Sequence, residues 1–241
     1  MGRGYYKQRI RQTLRRIQVS GEGLPSTKHE EECEYIIMLC QVKENNEEQC
    51  AQYWPLEVGK VTPYGDVEVV NNHIDFIKDE PSVRKSKLTL RWKENGNAKE
   101  RQIYHIYWPD WPDFGVPPCG STIINILNEV SGTKKPITVH CSAGIGRTGS
   151  FVAIAIFLER LKSDLPLEPV DVIAKEIRKQ RINSIQRESQ YLFVHRVMLF
   201  YFRDNQKLLP KLTSELEAKC KKFIADYNAK QACAWVGMAN I

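Results

Sequence analysis

Residues 137–161 read ITVHCSAGIGRTGSFVAIAIFLERL and change character twice along their length. The β-branched segment at 137–140 predicts a short buried strand. Residues 148–161 are apolar on nearly every side of a helix, which predicts a helix buried in the centre of the domain. The glycine-containing loop between them would leave free backbone N–H groups at the N-terminus of that helix, where an anion can bind.

The loop also carries a nucleophile and a fixed positive charge. Gly144 and Gly146 let the backbone curl closely around an anion, and Arg147 offers a planar fork that can hold two phosphate oxygens. Cys141 lies six residues before Arg147, at the bottom of the same ring of donors. An electropositive setting favours the thiolate, the nucleophilic form of cysteine. The lysine of the nucleotide-binding pattern G-x-x-x-x-G-K-[ST] is absent, and this loop offers a nucleophile instead.

Strand patterns precede this unit and helical patterns follow it. An apolar, β-leaning run covers 35–42, and short strands broken by turn signals fill 50–108. Helical patterns cover 121–130 and 170–181, and a further helix runs from 188 to about 203. This order predicts the α/β class, with a mixed, twisted central sheet flanked by helices and a phosphate-binding loop between a strand and a buried helix.

The 241 residues fit one large domain, and their composition narrows its surroundings. The longest apolar run, Phe151 to Leu158, is too short to span a bilayer, and the N-terminus has no apolar signal segment. Seven cysteines without C-x-x-C spacing indicate free thiols in a reducing compartment, so we expect a cytoplasmic protein. No metal ligand pattern is present, and we expect no metal and no cofactor.

The net charge of +6 is concentrated near the N-terminus, where the first nineteen residues contain six basic side chains and no acid. Such a run can bind nucleic acid, an anionic membrane or an import receptor, but it is more often a solvated arm. We therefore expect no nucleic-acid partner. The basic residues are Arg3, Lys7, Arg9, Arg11, Arg15 and Arg16.

His140 to Gly149 match in full the signature H-C-x-A-G-x-G-R-[ST]-G, and the chain resembles the tyrosine-specific protein phosphatases of the cysteine-dependent class. The resemblance covers roughly residues 33 to 203. Other segments of the family pattern occur in the same order: CAQYWP at 50–55, YG at 64–65, HIY at 105–107, WPDFGVP at 111–117 and IRKQRINSIQRESQY at 177–191.

The resemblance implies that Cys141 attacks the phosphate of phosphotyrosine and forms a phosphocysteine. Arg147 would clamp the phosphate oxygens, and Thr148 would offer its hydroxyl to the sulfur. His140 would tune the thiolate, unless it is a merely structural residue at the end of the strand. Glu44 would hold the Arg147 fork in plane. The backbone N–H groups of the loop would complete the anion cradle, from Ser142, Ala143, Gly144, Ile145 and Gly146.

Trp-Pro-Asp occurs twice in succession, ending at Asp110 and at Asp113. A phenolate leaving group needs a proton and the attacking water then needs a base, so the reaction requires one such carboxyl. Phe114 to Pro117 follow Asp113 as they follow the acid of the family, which makes Asp113 the expected acid and Asp110 a solvated turn residue. Gln186 and Gln190 correspond to the two glutamines that position the hydrolytic water, although a glutamine on a surface helix often has no role.

Upstream parts of the family pattern are not recognisable, apart from LPST at 24–27. We therefore expect a basic, irregular arm over 1–31, a tyrosine phosphatase-like catalytic domain that is incomplete at its N-terminus over 32–203, and a helical tail over 204–241. Losing strands and helices would expose apolar surface unless residues 1–30 replace them. Two local departures also stand out, because Gln49 replaces a lysine that is frequent in the family and Arg187 replaces a threonine.

Three functions follow from these observations. The first is a protein tyrosine phosphatase that acts on phosphotyrosine-containing proteins. The second is a phosphotyrosine-binding or scaffold module with weak or no turnover, because substrate-recognition elements are missing. The third is a dual-specificity or lipid phosphatase, which shares Cys-x5-Arg, but the FGVP loop and the two glutamines argue against it. The sequence does not indicate an oligomeric state.

Overall fold

The computed structural model describes residues 17–20, 33–64, 66–117, 120–205 and 213–239. Within them a seven-stranded sheet has the order β1-β9-β2-β8-β7-β6-β5, and β3 and β4 form a separate hairpin. The strands are β1 (Ile17–Ser20), β2 (Tyr35–Met38), β3 (Lys43–Glu44), β4 (Glu47–Glu48), β5 (Val61–Tyr64), β6 (Val67–Ile77), β7 (Glu80–Glu94), β8 (Asn97–Tyr107) and β9 (Ile137–His140).

The sheet is parallel at one side and antiparallel at the other. Strands β1, β9, β2 and β8 run parallel, whereas β8, β7, β6 and β5 pair antiparallel. Met38 pairs with His140, and the N–H of Leu39 donates to the carbonyl of His140 at 2.9 Å. The carboxyl ends of β2 and β9 therefore meet at one edge, which is where a loop after a parallel strand can hold a ligand.

The antiparallel strands are longer than the short strands that the sequence predicts. Strand β7 alone spans 15 residues, and it turns into β8 through Asn95 and Gly96, which have φ of 50° and 79°. Two successive positive φ values are what a type I′ hairpin turn requires. A register shift between Asn71 and His73 bends β6. The turn signal at Asn95 and Gly96 marks a real turn. Polar residues on the solvent face of the β7–β8 hairpin interrupt the apolar pattern, and the sequence therefore predicts several short strands where the structure has two long ones.

The helices flank the sheet, and one of them is buried among the others. They are α1 (Ser121–Glu129), α2 (Gly146–Lys162), α3 (Val170–Arg178), α4 (Glu188–Phe200), which continues as a π-helical turn Tyr201–Asn205, and α5 (Ser214–Ala239). Helix α2 packs against α3 and α4, and every residue from Gly146 to Leu158 is buried. The prediction of a centrally buried helix is therefore confirmed, as is the mixed sheet flanked by helices. Within the described residues no helix is long and apolar enough to cross a membrane.

Strand β1 lies within the segment that the sequence analysis expects to be an irregular arm. Ile17 to Ser20 pair in parallel with Ile137 to His140, so four residues of the arm are regular structure. All four residues of β9 are buried, and without β1 the outer backbone groups of β9 would have no strand partner. The arm is therefore not irregular throughout, because residues 17–20 pair with the edge of β9. The basic side chains from Arg3 to Arg16 lie outside the described residues.

Candidate active site

The loop between β9 and α2 forms a ring of free hydrogen-bond donors around a buried cysteine. Cys141 is 5% exposed and directly follows β9. In the described part of the chain, the N–H groups of Ser142 to Ile145 donate no hydrogen bond to another residue. Gly144 has φ of +67°, a conformation that side chains disfavour. The first-turn N–H groups of α2 add to these donors, so the loop can accept an anion next to the Cys141 sulfur.

Arg147 occupies the first turn of α2 and is 1% exposed. Its Nη1 donates to Glu44 Oε1 at 2.6 Å and to the carbonyl of Trp111 at 3.0 Å, and its Nη2 donates to Asp113 Oδ1 at 3.1 Å. Burial acts to lower the pKa of Arg147, but Glu44, Cys141 and Asp113 outweigh it and raise the pKa. The guanidinium is therefore fixed as a cation between the side chains of Glu44 and Asp113 and the cradle.

The hairpin β3–β4 delivers Glu44 to the guanidinium. Asn45 and Asn46 form its turn with φ of 50° and 66°, which lets the hairpin fold back within two residues. The N–H of Gln41 donates to the same Glu44 Oε1 at 2.9 Å and orients the carboxylate. Glu44 thus lies where the sequence expectation of a brace for Arg147 requires it.

Residues 111–117 form a loop over the cradle, anchored by a buried tryptophan. Trp111 is fully buried, and its indole Nε1–H donates to the carbonyl of Gly115 at 3.1 Å. The N–H of Gly115 donates to the carbonyl of Pro112 at 3.2 Å and closes a tight turn. This turn points Asp113 at Arg147. Asp110 is exposed, and among the described residues the ion-pair partners of Arg147 are Glu44 and Asp113.

The segment that precedes α4 packs directly on the cradle. The carbonyl of Ile145 accepts the N–H of Gly149 at 3.1 Å and the N–H of Ile185 at 3.0 Å. A Cβ on Gly146 would lie 2.9 Å from Gln190 Nε2 and 3.2 Å from Gln186 Oε1. A side chain at 146 would displace these amides, and both predicted glutamines lie against the loop that holds Cys141.

The two glutamines differ in what their side chains can do. Gln190 is buried, and its Oε1 accepts the backbone N–H groups of Gln186 at 3.0 Å and Arg187 at 3.2 Å. Gln186 is exposed. The Gln190 oxygen is therefore engaged in holding the backbone, and Gln186 has the amide that remains free to face a reactant.

Two arginines that the sequence analysis assigns no role hold this segment in place. Arg178 donates to the carbonyls of Ser184 and Ile185 at 2.9 and 3.0 Å. Arg181 donates to the carbonyl of Ala143 in the cradle at 3.0 Å. Their only sequence signal is the pattern IRKQR five to nine residues before Gln186, and that pattern does not reveal which carbonyls they reach.

A buried hydrogen-bonded chain supports the cradle from behind. Tyr53 Oη lies 2.8 Å from His105 Nε2 and 2.7 Å from His140 Nε2, and His140 Nδ1 lies 3.2 Å from the carbonyl of Cys141. A carbonyl only accepts, so His140 carries its proton on Nδ1 and its Nε2 accepts the Tyr53 hydroxyl. The Tyr53 oxygen then accepts from His105 Nε2–H.

In this arrangement each imidazole carries one proton, on Nδ1 of His140 and on Nε2 of His105, and both rings are neutral. Burial lowers the pKa of His105 strongly, with further lowering from His140 and Arg84. Burial also lowers the pKa of His140, partly offset by the bond to the Cys141 carbonyl. His105 Nδ1 is buried without a hydrogen-bond partner, as expected for an unprotonated nitrogen. His140 is thus held in one tautomer next to Cys141.

Thr148 does not make the contact with sulfur that the resemblance implies. It is fully buried, and its Oγ1 has no hydrogen-bond partner. Rotation of the hydroxyl moves only its hydrogen, so a hydrogen bond to the sulfur requires the Thr148 side chain to change its χ1 rotamer. Among the described residues no three His, Cys, Asp or Glu side chains cluster as metal ligands.

Comparison with known proteins places this arrangement in a family. The Protein-tyrosine phosphatase family matches residues 28–200. Human receptor-type tyrosine-protein phosphatase C is 33% identical over 177 residues, which is 71% of this chain and 13% of that protein. The Lar-like tyrosine-protein phosphatase of Caenorhabditis elegans is 36% identical over 174 residues, which is 70% of this chain and 8% of that protein.

Solved structures agree with the sequence relatives. The catalytic domain of human protein tyrosine phosphatase non-receptor type 18 has a TM-score of 0.61 and 26% identity, with 68% of this chain and 59% of that chain covered. PTPN18 in complex with HER2-pY1248 phosphopeptides has a TM-score of 0.61 and 25% identity, with 70% and 63% covered. The chain belongs to the protein-tyrosine phosphatase family. It spans about a tenth of the length of the curated relatives described above.

Proposed function

We propose that this chain hydrolyses phosphotyrosine in proteins through a phosphocysteine intermediate, and that residues 32–203 carry the activity. The observation that carries the proposal is the position of Arg147. Its guanidinium adjoins the donor ring around Cys141 and contacts Asp113 at 3.1 Å. Nucleophile, anion cradle, cation and carboxyl thus converge on one point, which is what phosphoryl transfer needs.

In the first step the Cys141 thiolate attacks phosphorus, and the bond from phosphorus to the tyrosine oxygen breaks. The N–H groups of the loop and the Arg147 guanidinium stabilise the charge on the three equatorial oxygens. Asp113 gives its proton to the departing phenolate oxygen, so the products are tyrosine and a phosphocysteine.

In the second step water attacks phosphorus, and the sulfur–phosphorus bond breaks. Asp113, now a carboxylate, takes the proton from the water, and the exposed Gln186 amide orients that water beside Gly146. The sulfur leaves as a thiolate, and Thr148 Oγ1 supplies a hydrogen bond to it. Inorganic phosphate is released and Cys141 returns to its starting form.

The proposed substrate class is phosphotyrosine in a polypeptide. PTPN18 has been solved in complex with HER2-pY1248 phosphopeptides, and the same ligand chemistry fits a buried nucleophile at the bottom of an anion cradle. A long aromatic ester reaches such a sulfur more readily than a short phosphoserine does. The cysteines described as free are Cys33, Cys40, Cys50, Cys141 and Cys220, which accords with the proposed cytoplasmic location because thiolate chemistry needs reduced sulfur.

Phosphate release from matched phosphotyrosine and phosphoserine peptides tests the proposal directly. We expect the chain to hydrolyse only the phosphotyrosine peptide and to leave covalent phosphate label on the protein after a rapid denaturing quench. Cys141→Ser abolishes both signals while the peptide still binds. Binding without turnover by the unmodified chain would contradict the proposal and identify a phosphotyrosine-binding module instead.

A further inference from the structure

Arg187 and Phe114 form a contact between the loop that carries Asp113 and the segment that carries Gln186. The guanidinium carbon of Arg187 lies 4.7 Å from the centroid of the Phe114 ring. This distance is within the range of a cation–π interaction. Both residues adjoin a predicted reactant-facing side chain, because Phe114 follows Asp113 and Arg187 follows Gln186.

The backbone N–H of Phe114 donates to Asp113 Oδ1 at 3.0 Å, which leaves the side chain as the part that needs a partner outside the loop. The φ of Phe114 is +53°, which is rare for a residue with a bulky side chain, and its side chain is 48% exposed. The loop also borders a cavity of about 240 Å³, lined by Phe114, Gly115 and Val116 on one side and by Tyr227 and Lys230 of α5 on the other. A strained, half-exposed aromatic residue beside open space needs a specific partner to stay in place.

Arg187 is mounted on a fixed part of the site. Its backbone N–H donates to Gln190 Oε1 at 3.2 Å, and Ile185, two residues earlier, donates to the Ile145 carbonyl of the cradle at 3.0 Å. The Arg187 guanidinium therefore reaches the exposed face of the Asp113 loop from a segment tied to the nucleophile loop.

The Arg187–Phe114 contact complements the contact between Arg147 and Asp113 inside the site. In this structure Arg147 Nη2 holds Asp113. A phosphate in the cradle competes for the same guanidinium donors, so this inner hold on Asp113 weakens when substrate binds. The outer contact through Phe114 does not involve the cradle and persists.

We propose that Arg187 is a positioning residue that latches the Asp113 loop over the bound phosphate through the face of Phe114. The inference rests on the proposed phosphatase function, since the latch acts on proton donation by Asp113. The positive charge of Arg187 acts on proton donation through Phe114 and the Asp113 loop, without contact between Arg187 and the phosphate.

Leaving-group dependence separates this role from a general structural one. Arg187→Met is expected to lower kcat/KM for phenyl phosphate about two- to fivefold, the scale of an exposed cation–π contact, because kcat/KM reports the steps up to release of the phenol. An aryl phosphate with a strongly acidic phenol needs little protonation, so its kcat/KM is expected to stay unchanged. Arg187→Lys restores part of the rate, because lysine keeps the cation.

A double-mutant cycle with Phe114→Leu ties the effect to the ring. Arg187→Met is expected to have no further effect in the Phe114→Leu background. Arg91→Met is the charge-matched control, because Arg91 pairs with Glu100 on the distant hairpin, and it is expected to match the unmodified chain. Additive effects, or an equal loss for both substrates, would overturn the latch while leaving the phosphatase function intact.

A second readout does not depend on turnover. The indole N–H of Trp111 donates to Gly115 in the loop, so its resonance in ¹⁵N-labelled protein reports the loop conformation. Arg187→Met is expected to shift or broaden this resonance, and Arg91→Met to leave it in place. An unchanged Trp111 resonance in Arg187→Met would contradict the latch even in a chain without hydrolytic activity.

Discussion

Arg147 Nη2 lies 3.1 Å from Asp113 Oδ1, and Arg147 Nη1 lies 2.6 Å from Glu44 Oε1. Asp113 is about one quarter exposed at its side chain, whereas Glu44 is almost fully buried at 9%. The same guanidinium therefore contacts two carboxyl groups, one of which is exposed enough to move away and one of which is buried. The exposed one suits a proton donor on a moving loop, and the buried one suits a permanent brace.

Asp113→Asn is expected to lower kcat for phenyl phosphate by about 10²- to 10⁴-fold, the contribution of general acid catalysis. The amide keeps the shape of the side chain but cannot give up a proton to the phenolate. Asp110→Asn is the matched control and is expected to stay within about twofold, since Asp110 is exposed and lies apart from Arg147. Steady-state kinetics measure both, and a larger loss in Asp110→Asn would reverse the assignment.

Glu44→Gln is expected to lower kcat/KM by about ten- to one-hundredfold, because a hydrogen bond to a charged group contributes about 1.5–3 kcal/mol. The glutamine oxygen can still accept a hydrogen bond from Arg147, but the negative charge is lost, so the guanidinium is held less firmly in line with the phosphate. Glu48→Gln removes an exposed charge from the same hairpin and is expected to behave as the unmodified chain. Equal rates for the two variants would show that Arg147 needs no brace.

Gln190→Ala and Gln186→Ala are expected to separate stability from turnover. Gln190 is buried and satisfies two backbone N–H groups, so its truncation should reduce the free energy of unfolding by about 1–3 kcal/mol. Gln186→Ala should unfold at nearly the same urea concentration but accumulate phosphocysteine. Urea denaturation and rapid-quench labelling measure the two effects, and a stability loss confined to Gln186→Ala would contradict this division.

The neutral histidines predict a loss of stability in mild acid. Burial lowers the pKa of both His105 and His140, so the unfolded chain takes up protons at a higher pH than the native state does. Their contribution is complete above the ordinary histidine pKa of about 6.5 and declines as the pH falls below it. We expect up to about 1.4 kcal/mol of lost stability per pH unit from each histidine.

Urea denaturation between about pH 7 and pH 5 measures that slope. His105→Gln should make the slope shallower, because glutamine retains a donor toward Tyr53 and does not titrate. His73→Gln, at an exposed position on β6, should leave the slope unchanged. A steeper or equal slope in His105→Gln would show that His105 is not buried as a neutral group.

The parts of the site that lie close together in sequence could be predicted, and the parts that depend on packing could not. Strand, loop and buried helix follow from the residues at 137–161 because each has its own periodicity and the glycines sit between them. The Tyr53–His105–His140 chain joins residues up to 87 positions apart, and no local pattern shows which tyrosine meets which histidine. The Arg187–Phe114 contact also depends on packing. The replacement of threonine by Arg187 is visible in the sequence, but it does not show which residue the arginine contacts.

Strand β1 illustrates the same limit at the level of the fold. The residues IQVS at 17–20 follow a basic run and carry no strong strand signal. Their pairing with β9 arises because β9 needs a neighbour on its outer edge, which is a property of the assembled sheet. The expectation that residues 1–30 replace missing strands of the family points to this region. It does not predict that residues 17–20 pair with β9, or in which register.

The Ile145 carbonyl that receives both Gly149 and Ile185 has a consequence for the second chemical step. It ties the backbone of the nucleophile loop to the backbone of the glutamine segment before any substrate arrives. The position of Gln186 relative to the phosphorus is then set when the chain folds, which reduces the orientational entropy lost during hydrolysis. The proposed enzyme would thus confine its motion to Asp113, which gives a proton in the first step and takes one in the second.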